Sequence, residues 1–331
     1  MYKVARLPDR DRTDLFRAAS QKMGINEAIV EKDFWVCWIL DYLFHKNRWQ
    51  NKFSFKGGTS LSKAYNLIQR FSEDIDLIVD WTLLGFKNDE PWKDRSNTGQ
   101  DRFNKEANDK TKAFLADSFI PVLKADISQL LAIDASITAD NEQNVFFNYP
   151  KSFTDTAIIQ AIRLEIGSLA AWVPAEVKVI QPYSAKYYPE VFEKNETSIR
   201  TVMAKRTFWE KATILHQEAH RDENKLFPAR YSRHYYDLHR MVNSPVLEEA
   251  LADLRLLHEV VTFKKRFYRC PWARYDDAKP GTFRLTPPPY QLKNLQNDYR
   301  SMEPMLFGDK PSFQAIISSL AKLEARLNMP V

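Results

Sequence analysis

Residues 55–80 read Phe-Lys-Gly57-Gly58-Thr59-Ser60-Leu-Ser-Lys-Ala-Tyr-Asn-Leu-Ile-Gln-Arg-Phe-Ser-Glu-Asp74-Ile-Asp76-Leu-Ile-Val-Asp80. This short stretch requires a strand, a tight turn, a helix and a second strand in succession, and so limits the fold more than any other part of the chain. Two glycines let the backbone turn closely beside a phosphate. A helix starting at Thr59 or Ser60 would present free N–H groups and the positive end of its dipole. Leu61, Ala64, Tyr65 and Ile68 recur at i, i+3, i+4 and i+7 and predict one apolar helical stripe. Asp74 and Asp76, two apart on a strand, project from one face, while Ile75, Leu77 and Val79 point to the other.

Two carboxylates about 4 Å apart repel by roughly 4 kcal/mol at an effective dielectric of 20, so a divalent cation is expected to keep both ionised. Mg²⁺ suits the pair best, with Mn²⁺ as the alternative ion. Mg²⁺ takes one or two carboxylates together with water and substrate phosphates, whereas no Cys/His arrangement in the chain has zinc-like spacing. A solvated turn at a strand end is the competing explanation of the acidic pair. The preceding Gly-Gly-Thr-Ser and amphipathic run favour a site in which Gly57, Gly58, Thr59 and Ser60 hold a nucleoside triphosphate (NTP) and Asp74 and Asp76 hold metal.

This motif resembles the first motif of the AbiEii-type nucleotidyltransferases, toxin components of bacterial toxin–antitoxin and phage-defence pairs related in fold to the DNA polymerase beta-like superfamily. Further matches follow in the family's order: Glu31-Lys32-Asp33-Phe34-Trp35, Arg163-Leu-Glu165-Ile, Arg206-Thr-Phe-Trp-Glu210-Lys211 and Arg233-His-Tyr-Tyr-Asp237-Leu. The interval from Thr59 to Asp74 is longer than in the shortest superfamily patterns. The resemblance implies an α+β nucleotidyltransferase fold, a mixed sheet with flanking helices, over residues 1–200. It also implies a mainly helical C-terminal domain over 201–331. The activity implied is Mg²⁺-dependent transfer of a nucleoside monophosphate from an NTP to an RNA acceptor, the tRNA 3′ end, with release of pyrophosphate. An AbiEi-like antitoxin is the implied protein partner.

The resemblance also assigns residues. Ala161 to Ile166 alternates as a strand, with Ile162, Leu164 and Ile166 on one face and Arg163 and Glu165 on the other. Superfamily members bring a third acidic residue beside the Asp-x-Asp pair, which makes Glu165 the third catalytic and metal carboxylate; an ordinary ion pair with Arg163 is the alternative. Lys211 is implied as a nucleotide contact that offsets triphosphate charge, against a surface lysine bridging Thr207 and Glu210. Asp237 is implied to position that lysine or the nucleotide, against a simple i, i+4 pair with Arg233.

Elsewhere, residues 10–24 predict a helix, and Asn26 caps another running to His45 with Phe34, Trp35, Cys37, Trp38 and Leu43 packed and Lys32 and Asp33 as polar exceptions in structural pairing near the active-site floor, against a direct catalytic part. Residues 85–110, rich in Lys, Asn and Asp, predict a loop or insertion; 111–132 predicts a helix, 270–290 an irregular crossing segment, and the stretch from Phe313 a closing amphipathic helix. With 331 residues and 44% hydrophobic content the chain can bury a substantial core. No apolar run approaches about 18 residues and the N-terminus lacks a signal-like core, so a soluble cytoplasmic protein is expected, with no membrane partner. Two cysteines are too few for a disulfide framework, and Cys37 is expected to pack.

The net charge of +5 favours nucleic acid only weakly. Lys205, Arg206, Lys211, Arg221, Lys225, Arg230, Arg233 and Arg240 form one basic stretch. Lys264, Lys265, Arg266, Arg269 and Arg274 form another among aromatics. Both could meet RNA phosphates or be solvated helical faces. His216, His220, His234 and His239 lack ligand-pair spacing and are expected to pack or to contact RNA. Two other readings stay open: a nucleotidyltransferase acting on a protein or small molecule, and a catalytically inert interaction protein with the same fold.

Overall fold

Asn26 starts the helix that organises the first half of the chain: its side chain accepts a hydrogen bond from the Ala28 N–H at 2.8 Å, a cap worth about 1 kcal/mol. The computed structural model describes residues 1–72, 74–140, 143–155, 158–170, 173–225 and 227–329. They divide into two compact units, Met1–Ala64 with Ser72–Val202, and Tyr65–Phe71 with Met203–Val331.

In the first unit the helices are α1 (Tyr2–Ala5), α2 (Asp9–Met23), α3 (Glu27–His45), α4 (Gly57–Lys63), α5 (Asn97–Phe114), α6 (Ile120–Leu131) and α7 (Tyr183–Tyr187). The strands are β1 (Phe53–Lys56), β2 (Asp74–Val79), β3 (Ser136–Ala139), β4 (Asn144–Asn148), β5 (Ile162–Gly167), β6 (Ala175–Ile180) and β7 (Thr197–Val202). They form one sheet in the order β3-β4-β5-β2-β1-β7-β6. It is mixed: β2 runs parallel to β5 and β1 to β7, and the remaining neighbours are antiparallel.

Nearly every side chain of α3 is buried, as expected of a helix apolar on all sides. Trp35 stacks on Tyr149 at 5.9 Å and meets Phe147 edge-on, and Trp38 also contacts Phe147, so α3 covers the apolar face of the sheet. Burying each such ring contributes about 1.5–3 kcal/mol. Cys37 is buried there as a packing residue.

The polar residues of α3 each tie down a different segment. The Glu31 carboxylate accepts from the Ser152 and Phe153 N–H groups, Lys32 Nζ donates to Ile159 O at 2.6 Å, and Asp33 pairs with Lys63 of α4 at 2.6 Å and accepts from Tyr183 N–H. Lys32 and Asp33 are therefore structural anchors, each to its own partners. The reason is helical geometry: neighbours in sequence point about 100° apart.

In the second unit α8 (Ala204–Ala219), α9 (Ser232–Val242), α10 (Val246–Leu251), α11 (Leu254–Phe267), α12 (Pro289–Met302) and α13 (Phe313–Asn328) pack together, with α8 against α9, α10 and α11, and α9 against α12 and α13. The segment Tyr65–Phe71 joins them: Phe71 N–H donates to Met305 O at 2.8 Å and Phe307 N–H to Gln69 O at 2.9 Å. Residues 271–288 carry only short helical turns, as their prolines predict.

Two expectations fail here. The helix after Gly58 ends at Lys63, and Asn66 takes a left-handed φ of 52°, so Tyr65 and Ile68 leave the predicted stripe and serve the second unit. Residues 85–110 are not a loop throughout: Ser96 caps α5, which occupies Asn97–Phe114 and continues through a π-helical turn at Leu115–Phe119 into α6. Among the described residues no helix is long and apolar enough to cross a membrane.

Candidate nucleotide and metal site

Strand register assembles the acidic face of the first unit. The parallel pairing of β2 with β5 sets Asp74 opposite Arg163 and Asp76 opposite Glu165. On either side, Lys56 of β1 stands opposite Asp76, and Asn144 of β4 opposite Glu165. All six positions share the face away from Ile75, Leu77, Ile162 and Leu164, which are buried. Three carboxylates, two cations and one amide thus share one polar patch, with Asp76 and Glu165 directly opposite each other.

The geometry within that patch is specific. Arg163 grips Asp74 with two nitrogens: Nε donates to Oδ1 at 2.7 Å and Nη2 to Oδ2. The same Nη2 lies 2.8 Å from Glu165 Oε1. Gly57 turns at φ +79°, and a Cβ there would fall 1.9 Å from Asp76 Oδ2, so only glycine leaves room for that carboxylate. The Thr59 hydroxyl donates to the Asp74 carbonyl, and the Ser60 hydroxyl to Gly57 O at 2.8 Å. Both hydroxyls are thus engaged by backbone and brace the turn against β2. Gly58 is the second residue of α4 and is half-buried.

A divalent cation suits part of this set. Asp74 and Asp76 offer the one or two carboxylates that Mg²⁺ takes beside water and phosphate oxygens. Glu165 lies next to them in register, Arg163 engages both it and Asp74, and among the described residues no group of three or more His, Cys, Asp or Glu side chains is placed to hold a metal.

Lys211 and Asp237 meet in the second unit. Asp237, fully buried on α9, receives Arg70 through two hydrogen bonds of 2.7 and 2.8 Å, and Lys211 Nζ of α8 at 2.7 Å. Burial alone would raise the Asp237 carboxyl, but the two cations more than offset it and hold it well below the usual carboxylate range. Burial lowers the Lys211 ammonium, with Arg70 adding to the effect and Asp237 opposing it. Nothing local in the sequence points to Arg70, which lies far from Asp237 along the chain. Lys211 is no surface lysine, because α8 turns that face inward.

The histidines are structural. His216 is buried with both nitrogens used: Nδ1 accepts from Arg284 N–H and Nε2 faces Arg274 O, each at 3.1 Å. Burial pushes it down to about 4, so the neutral ring with its proton on Nε2 is the form that fits. Burial, then Lys211 and Arg233, depress His234 well below its ordinary value.

Four cations of the first basic stretch are tied to acids, Lys205 to Asp253, buried Arg206 to Glu210, buried Lys211 to Asp237 and Arg221 to buried Glu218, whereas Lys225 and Arg230 are exposed. The stretch is therefore not the single phosphate-facing surface that its spacing suggested. Lys265, Arg269 and Arg274 of the second stretch are exposed.

The comparison that decides the family is a match over residues 38–319 to the family described as "Nucleotidyl transferase AbiEii toxin, Type IV TA system". The chain belongs to the AbiEii nucleotidyltransferase toxin family. Its α+β fold agrees with that of MenT4, a nucleotidyltransferase toxin from Mycobacterium tuberculosis H37Rv, at TM-score 0.53 and 15% identity over 96% of this chain and 90% of that one. A candidate nucleotidyltransferase from H. pylori aligns over 92% of this chain and 96% of that one, at 15% identity and TM-score 0.44. No curated protein sequence matches. This AbiEii-family chain is accordingly a nucleotidyltransferase, an enzyme that uses an NTP, from a type IV toxin–antitoxin family in which an antitoxin is the partner.

Proposed function

We propose that the chain transfers a nucleoside monophosphate from an NTP to a hydroxyl of RNA, with Asp74 and Asp76 holding Mg²⁺ or Mn²⁺ and the glycine turn at Gly57 and Gly58 lying beside the triphosphate. The observation that carries this reading is the fit of Gly57 against Asp76: the carboxylate lies where a side chain at residue 57 would stand, which supports reading the turn and the acidic strand as one site. The acceptor oxygen bonds to the α-phosphorus, the bond from that phosphorus to the bridging oxygen breaks, and pyrophosphate leaves with the electron pair. Glu165, more than a third exposed beside Asp76 in register, receives the hydroxyl proton. A divalent ion, when bound, neutralises triphosphate charge and makes the hydroxyl more acidic. For Lys211, paired with Asp237 inside the second unit, the family resemblance implies a nucleotide contact.

The tRNA 3′ end as acceptor, a role in phage defence and an AbiEi-like antitoxin follow from the family resemblance. Exposed Lys265, Arg269 and Arg274 are compatible with an RNA acceptor. The test is incubation of the protein with Mg²⁺, each labelled NTP and total RNA, beside an Asp74→Ala, Asp76→Ala double variant. Label should enter RNA from one or more NTPs with the wild type only. Equal labelling by the double variant, or none by either protein, overturns the proposal, and label on protein would redirect it to a protein acceptor.

A further inference from the structure

Asp74 and Glu165 on the β2–β5 face share a cation of the chain's own, the Arg163 guanidinium, with Asp76 next to them in register. Arg163 occupies both oxygens of Asp74, Nε on Oδ1 and Nη2 on Oδ2, and bonds Glu165 with the same Nη2. Such two-nitrogen, charge-assisted pairing is the strong and geometrically demanding form of the Arg–carboxylate bond. A divalent ion binds carboxylate oxygen at about 2.0–2.1 Å for Mg²⁺, and places two positive charges where the guanidinium already lies. The two cations therefore compete for Asp74. The Arg163 side chain is 27% exposed and Glu165 38% exposed, against 13% for Asp74. Release from Asp74 thus leaves Arg163 a solvent-facing carboxylate on its own strand to hold.

We propose that Arg163 is the resident counter-cation of Asp74, which exchanges there with the divalent ion and turns onto Glu165 when the ion enters. Arg163 is then a positioning residue. It holds Asp74 and Glu165 close between turnovers, and it sets the affinity for metal. The inference rests on the reading that Asp74 and Asp76 hold the metal.

Mn²⁺ titration in the absence of NTP, followed by electron paramagnetic resonance of the free ion, tests this without relying on activity. The wild type, Arg163→Gln, Arg163→Lys and Asp76→Asn proteins are compared, and circular dichroism checks each fold. With the competitor gone, Arg163→Gln should bind Mn²⁺ about tenfold more tightly than wild type. Arg163→Lys, which keeps a charge but not the two-nitrogen grip, should lie between them. Asp76→Asn should lose binding. Equal or weaker binding by Arg163→Gln, with binding still sensitive to Asp76→Asn, overturns the exchange and makes Arg163 a structural clamp. If Arg163→Gln does not fold, Arg163→Lys alone decides: tighter binding than wild type supports the exchange, and equal or weaker binding overturns it. Binding indifferent to Asp76→Asn overturns the metal assignment itself, and the exchange with it.

Discussion

Gly57 shows how little freedom a single position in this site has. Alanine at φ +79° costs about 1 kcal/mol in backbone strain, and its Cβ would stand 1.9 Å from Asp76 Oδ2, a distance that forces the carboxylate or the turn to move. Gly57→Ala is therefore expected to lose about 1–3 kcal/mol in urea unfolding and to weaken Mn²⁺ binding, because Asp76 is the group displaced. Unchanged metal affinity would mean that the turn does not position Asp76. Asp237 sets a second constraint, since Arg70 and Lys211 both depend on it for charge balance inside the second unit. Asp237→Asn leaves two buried cations facing a neutral amide and should cost about 3–5 kcal/mol. Lys211→Met leaves the Arg70–Asp237 pair intact and should cost clearly less. Equal losses by the two variants in denaturant titrations would contradict this charge accounting. The Asp237 carboxyl is depressed in the folded state, so its contribution to stability is present above about pH 4, the ordinary carboxylate value. It is lost as the pH falls towards the lower folded value.

Elements were legible where one signal dominated and obscure where two competed. α3 was readable because Asn26 caps it and its apolar residues run almost without break. β2 and β5 were readable from strict alternation, and that alternation alone put Asp74, Asp76, Arg163 and Glu165 on polar faces. Their register was not readable, because pairing β2 with β5 involves residues far apart in the chain. α5 was hidden because its buried side is Gln100, Phe103, Ala107 and Thr111, a helical spacing in which half the members are polar. α4 was overextended for the opposite reason: Leu61, Ala64, Tyr65 and Ile68 fit the helical period, yet packing of Tyr65–Phe71 with the second unit outweighs it. His216 shows an element-scale consequence that no spacing announces, since its two nitrogens fasten α8 to the irregular stretch at Arg274 and Arg284. Its folded value near 4 lies below the ordinary 6.5, so the unfolded chain binds the proton more readily between those values. The stabilisation is complete above 6.5 and lost as the pH falls towards 4, by about 3 kcal/mol in all. Thermal midpoints measured from pH 7 to pH 4 should fall more steeply for wild type than for His216→Gln, and parallel curves would remove His216 from this role.

At the scale of the whole chain, a net charge of +5 says little until the cations already used in folding are set aside. Lys63 and Arg206 are shielded and each paired with an acid inside its own unit, and Arg70 and Lys211 share the buried Asp237 carboxylate, so the four contribute less to an outward field than their number suggests. Lys265, Arg269 and Arg274 face solvent, and Lys265 shares its position with exposed Asp276. Their distribution separates an RNA acceptor from a small molecule, because polyphosphate recognition releases counter-ions and makes affinity fall with salt by roughly 0.7 log units per log unit of salt for each phosphate neutralised on a single strand. RNA affinity of the wild type should fall as salt rises from about 50 to 200 mM. In the triple variant Lys265→Gln, Arg269→Gln, Arg274→Gln the slope should flatten by about two, the value for three lost contacts. Affinity for NTP, which the proposal assigns to other residues, should stay within about twofold of wild type. RNA binding with an unaltered slope would exclude this surface from acceptor recognition, and wild-type binding indifferent to salt would favour an acceptor other than RNA.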